Sequence, residues 1–138
     1  MKKIVITLSL IASVGTVQAD NQAVTVILNS GSTMTQGIAL VLTNQMQAQG
    51  GRVHVLLCDK AGDLALKYNA GEKLKPQDVS PGQLLDSAIK KGASASVCAL
   101  YLPNTGFSAE QLKEGIKAAR PDAMGRETLE AERKVLVF

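Results

Sequence analysis

The chain has no tryptophan, and its only other aromatic residues are Tyr68, Tyr101, Phe107 and Phe138. It therefore lacks the stacking platforms on which single-stranded nucleic acid is held. Two cysteines, Cys58 and Cys98, are too few for a disulfide scaffold. With a single histidine, His54, no zinc-finger spacing can be written, and no metal site is expected. The glycines match neither a phosphate loop nor a dinucleotide fingerprint, so no cofactor is expected either. Beyond the first twenty residues no run is long and apolar enough to cross a bilayer.

What is present begins with Lys2 and Lys3, an apolar run from Ile4 to Val17, and Val17-Gln18-Ala19 with small residues at both positions a signal peptidase inspects. The run is 14 residues long, short of the roughly 20 that span hydrocarbon as a helix. Residues 1–19 are therefore expected to be a cleaved signal peptide, with a single domain over residues 20–138 exported to the periplasm and free of the membrane. Cleavage removes two lysines and no acid, leaving 13 basic against 12 acidic residues, a formal charge of +1 where the whole chain has +3. No basic stripe remains to neutralise phosphates, which sets nucleic acid aside as a partner. The remaining 119 residues suffice for one buried core without staples.

Ala23 to Asn29 is a short β-branched and aliphatic run, the pattern of a strand covered on both faces. Met34, Ile38, Val41, Leu42 and Met46 then recur at helical spacing up to Gly50-Gly51, predicting an amphipathic helix packed on that stripe. Arg52 to Cys58 reads as a second strand. The polar connection from Asp59 to Ser80 carries a short helical piece near Asp63 to Lys67 and otherwise reads as a lid or a loose loop. Ser80-Pro81-Gly82-Gln83 combines an N-cap, a first-turn proline and a capping-box glutamine, so a second helix runs from there to Gly92. Ala93 to Leu102 reads as a third strand. Ser108 to Gln111 repeats the capping box ahead of Leu112, Ile116 and Ala119, predicting a third helix that ends before Pro121. A weaker helical stretch covers Arg126 to Arg133, and Lys134 to Phe138 is a final strand. Strands alternating with helices make the fold class α/β: one domain with a parallel sheet of about four to five strands and helices on both faces, in flavodoxin-like layers.

In such a sheet ligands bind beyond the carboxyl ends of the strands. Three segments reach that edge: Asn29, Ser30, Gly31, Ser32 and Thr33 after the first strand, Cys58 and Asp59 after the second, and Cys98 with the Pro103 to Phe107 loop after the third. The first offers a helix start to an anion or a thiolate, or simply an N-cap on Ser32 or Thr33. His54 and Cys58 lie about 13 Å apart along one strand, so they form no dyad, and His54 reads as a buried, satisfied histidine. Buried cysteine is commonly a small hydrophobe, so spacing alone leaves Cys98 open between packing and reactivity.

The stretch Gly92-Ala-Ser-Ala-Ser-Val97-Cys98, followed by an apolar run and Gly106 ahead of a helix, resembles the signature of the DsrE/DsrF-like sulfur-relay family. The resemblance extends over Ala23 to Phe138. It implies the DsrE-like fold, a persulfide-bearing Cys98, homo- or hetero-oligomeric assembly, and partner proteins that donate and accept sulfur. It makes the chain a carrier more than a turnover enzyme. A binding module on the same fold, or a thiol redox protein lacking a C-x-x-C pair, are the alternatives. Connection rules and the resemblance together place the first strand between the second and third. Cys58 and Cys98 would then lie two strand spacings apart, roughly 9 to 10 Å, and form no disulfide.

Overall fold

A computed structural model of the protein describes residues 21–138, and the signal peptide expected over residues 1–19 lies outside them. Five parallel strands form one sheet: β1 (Ala23–Leu28), β2 (Arg52–Leu57), β3 (Ser94–Val97), β4 (Lys117–Ala118) and β5 (Lys134–Val137), in the order β4-β3-β2-β1-β5. Among the described residues no helix is long and apolar enough to cross a membrane.

Strand alternation sorts side chains to two faces. Val24, Val26 and Leu28 of β1, Val53, Val55 and Leu57 of β2, and Ala95 and Val97 of β3 build the core. On that face lie α1 (Thr33–Ala48) and α2 (Pro81–Lys90), contributing Leu40 and Leu85, both fully buried. α2 has the expected ends: Ser80 accepts from the Gln83 amide while the Gln83 side chain accepts from the Ser80 amide. The opposite face is covered by α4 (Pro121–Leu129), none of whose residues is buried.

Several expectations are corrected. The first is the inward face of α1. Met34, Ile38, Val41 and Leu42 are exposed, Met34 at 71%, and of the predicted stripe only Met46 packs against the core. The helix instead turns Gly37, Ala39, Leu40, Thr43 and Asn44 inward. Thr43 and Asn44 make this tolerable by donating to the carbonyls of Ala39 and Leu40, and Asn44 also donates to Leu84 across to α2. Small and locally satisfied side chains let the helices approach closely, and the larger apolar ones are left outside.

The third strand stops at Val97 rather than Leu102, where both its neighbours end: Leu57, the last residue of β2, and Ala118, the last of β4, face Val97. The chain turns at once into the short helix α3 (Tyr101–Thr105), and the Tyr101 amide bonds back to the Cys98 carbonyl. The Ser108–Gln111 capping box is formed, yet it closes a single 3-10 turn over Ala109–Gln111. Leu112 then bridges to Leu66, and the Lys113 amide donates to the Ala65 carbonyl, so tertiary pairing takes the backbone that a helix would have used. Pro121 opens α4 instead of following a helix, as proline at a first helical position does. In the Asp59–Ser80 connection the short helical piece lies at Asp59–Ala65, ahead of the expected Asp63 to Lys67, as a 3-10 helix whose Ala61, Leu64 and Ala65 are buried in the core; residues 66–79 are irregular and mostly exposed.

Candidate functional site

β2 and β3 are direct neighbours, with Leu57 opposite Val97, so the residues that follow them emerge side by side. Those residues are Cys58 and Cys98. Their Cα atoms are 5.0 Å apart and the two are joined as a disulfide. This overturns the expected strand order and, with it, the expectation of two unpaired cysteines. β2, not β1, is the middle strand, and one strand spacing of about 4.8 Å replaces two. Ladder hydrogen bonds hold both positions, from the Cys58 amide to the Leu28 carbonyl and from the Cys98 amide to the Leu57 carbonyl, at 2.8 Å each.

The pair lies in the wall of a cleft of about 740 Å³ at the carboxyl edge of the sheet. Ala99, Leu100, Pro121 and Met124 supply an apolar lining, and Asp59, Lys60 and Asp63 the charges. Tyr101 forms one side. The residue is 5% exposed, its ring stacks on Phe107 with centroids 6.3 Å apart, and its hydroxyl donates to Asp63 Oδ1 at 2.7 Å. Burial, then the hydrogen bond to Asp63 and its negative charge, push the Tyr101 phenol well above its ordinary range, so it stays a neutral donor.

The loop after β1 folds as a cap. Ser32 is the N-cap of α1, the Ser30 hydroxyl accepts from the Ser32 amide, and the Ser30 carbonyl accepts from Gln36. Gly31 backs onto Lys60, and with Thr33 it lines a smaller neighbouring hollow of about 290 Å³. Asn29 donates its amide to Phe138, tying β5 to β1. None of Asn29, Ser30, Gly31, Ser32 or Thr33 lines the cysteine cleft. Gly106 ends α3 with φ of 75°, a left-handed conformation that suits glycine, and its neighbours Asn104 and Thr105 line the cleft in its place.

Beneath the later turns of α4 lies a polar cluster on the same sheet face. His54 Nδ1 meets the Glu127 carboxylate at 2.6 Å and His54 Nε2 meets Ser96 Oγ at 2.8 Å. Thr25 donates to Glu127 at 2.7 Å, and Arg133 pairs with both Glu127 and Glu130. Burial raises the Glu127 pKa, but the hydrogen bonds from Thr25 and His54 and the charges of His54 and Arg133 outweigh it and hold the carboxyl below its ordinary range. This cluster fastens an otherwise exposed helix to the sheet. Its signal was legible in part, since Thr25, His54 and Ser96 each interrupt an apolar strand at alternate positions. Among the described residues no group of three or more histidines, cysteines or carboxylates is placed to hold a metal.

No protein-family model matches the chain, and no curated protein matches it. Solved structures do share its fold. The ychN protein of E. coli superposes with a TM-score of 0.65 at 17% identity, covering 85% of this chain and 99% of that one. MTH1491, a protein of unknown function from Methanobacterium thermoautotrophicum, gives 0.61 at 15% identity, covering 86% and 100%. The five-stranded parallel sheet with its helices is a DsrE-like α/β fold.

Proposed function

We propose that this chain is a sulfur carrier that holds sulfane sulfur as a persulfide on Cys98. The observation that carries the reading is the position of Cys98, half-buried where β3 breaks into α3, in the wall of the cleft at the ligand-binding edge of a DsrE-like sheet. The Gly92 to Cys98 motif adds to it. An outer sulfur there would sit beside apolar walls, Lys60 and the neutral Tyr101 hydroxyl. Reduced protein should accept one sulfur from a low-molecular-weight persulfide, located on the Cys98 peptide by mass spectrometry; a Cys98 that takes up none refutes the reading.

The disulfide favours a second reading, a thiol–disulfide exchange protein working through Cys58 and Cys98. That reading expects equilibration with a dithiol such as reduced thioredoxin, and no retained sulfur after treatment with a persulfide. We further propose export, with a mature N-terminus at Asp20 checked by mass analysis of periplasmic material. Assembly with a second copy or a sulfur-exchanging partner is supported by the exposed apolar residues Met34, Ile38, Val41 and Leu42 on α1.

A further inference from the structure

We propose that the Cys58–Cys98 disulfide is the form of the site that captures hydrogen sulfide, opening to a persulfide on Cys98 and a thiolate on Cys58. This rests on the reading of Cys98 as the carrier and adds to it a substrate and a role for Cys58. Hydrosulfide attacks Sγ of Cys98, the Sγ–Sγ bond breaks, and Cys58 leaves with the electron pair. The products are Cys98–S–SH and Cys58–S⁻. The sulfide sulfur is oxidised to sulfane level while the disulfide is reduced, and the proton stays on the outer sulfur. Atoms, charge and electrons balance with no further oxidant, because the disulfide itself is the oxidant.

Three features of the site fit this step. Both cysteines are half-buried in the wall of an open cleft, so a small nucleophile reaches the bond. The charged residues of the wall, Asp59, Lys60 and Asp63, sum to one negative charge, and the rest of the lining is largely apolar. Such a wall disfavours bulky dianionic sulfur donors and admits neutral hydrogen sulfide, which gives up one proton to bulk water and attacks as hydrosulfide. The third feature is the ladder that fixes the two positions 5.0 Å apart at the Cα atoms. The displaced Cys58 thiolate therefore remains beside the persulfide. It can reclose the disulfide and return hydrosulfide unless an acceptor thiol takes the outer sulfur first. Cys58 thus acts as leaving group in loading and as the competing nucleophile in storage.

The test uses the full mature chain with its disulfide intact, treated anaerobically with sodium sulfide, alkylated with excess reagent in the same solution so that the opened form is trapped before it can reclose, then desalted and read by intact-mass and peptide analysis. The expected result is the addition of one molecule of hydrogen sulfide per chain, with a persulfide on Cys98 and a singly alkylated Cys58. Cys58→Ser, which cannot form the disulfide, should gain nothing from sulfide yet still load from a low-molecular-weight persulfide. A disulfide that survives sulfide, a product with two plain thiols, or sulfur found on Cys58 overturns the inference. If reduced wild type still loads Cys98 from the persulfide in that event, the carrier reading stands without it. If Cys98 takes up sulfur by neither route, the carrier reading falls as well.

Discussion

Replacing Gly62 with alanine probes how firmly Tyr101 is set as the wall of the cysteine cleft. An ideal Cβ on Gly62 would lie 2.9 Å from Tyr101 Cγ and closer still to Cδ2 and Cε2, inside any real carbon–carbon contact. The ring has little room to yield: it is buried, packed on Phe107 and tethered through its hydroxyl to Asp63. Overpacking of this kind costs about 1–3 kcal/mol. At roughly 4 °C per kcal/mol for a domain of this size, the melting temperature should fall by about 4–12 °C. Gly125→Ala is the matched control. It lies within α4 with nothing within 4 Å of an added Cβ, so it should stabilise by roughly 0.5–1 kcal/mol through helix propensity. Thermal unfolding by circular dichroism reads both. Combining Gly62→Ala with Tyr101→Phe sharpens the test, since freeing the ring from Asp63 should relieve part of the clash and make the pair cost less than the sum. Equal melting temperatures for Gly62→Ala and wild type would refute the rigid wall.

Ser80→Ala removes the N-cap of α2 and half of its capping box, and should cost about 1 kcal/mol in chemical denaturation; no measurable loss would show that the cap is dispensable. Glu127 has a carboxyl pKa below its unfolded value, so its contribution to stability is present above the unfolded pKa of about 4.3 and is lost as pH falls through the folded one. The stability gap between wild type and Glu127→Gln should therefore shrink on acidification below about pH 4, and a gap that stays constant there contradicts the assignment of the anchor to the ionised carboxylate.

Much of the fold was readable because its markers are local. Ser80, Pro81 and Gln83 declare the start of α2 within four residues, and the aliphatic run after Ala23 declares β1. What misled were features whose meaning is decided by distant partners. The Ser108–Gln111 box has the same sequence pattern as the one at Ser80, but Leu66 and Ala65 compete for the backbone that follows it. The apolar stripe of α1 has the right period and points outward, because closeness to α2 suits Ala39, Thr43 and Asn44 better than Ile38 or Leu42. Cys58 was placed correctly at a strand end, whereas the strand carrying Cys98 was expected to run on to Leu102. Their meeting depends on β2 and β3 being neighbours, which no pattern along the chain records. Tyr101 was hidden in the same way, since the break after Val97 that puts it in the wall falls where both neighbouring strands, β2 and β4, end.

The central claim is that Cys98 carries the sulfur. Its most direct measurement is loading of reduced wild type, Cys58→Ser and Cys98→Ser with a low-molecular-weight persulfide, trapped at once by alkylation before Cys58 can reclose onto Cys98 and read by intact-mass analysis, with folding of each variant checked by circular dichroism. Wild type and Cys58→Ser should each gain one sulfur, and folded Cys98→Ser should gain none. Loading that persists in Cys98→Ser, or that vanishes in folded Cys58→Ser as well, contradicts a single carrier at Cys98.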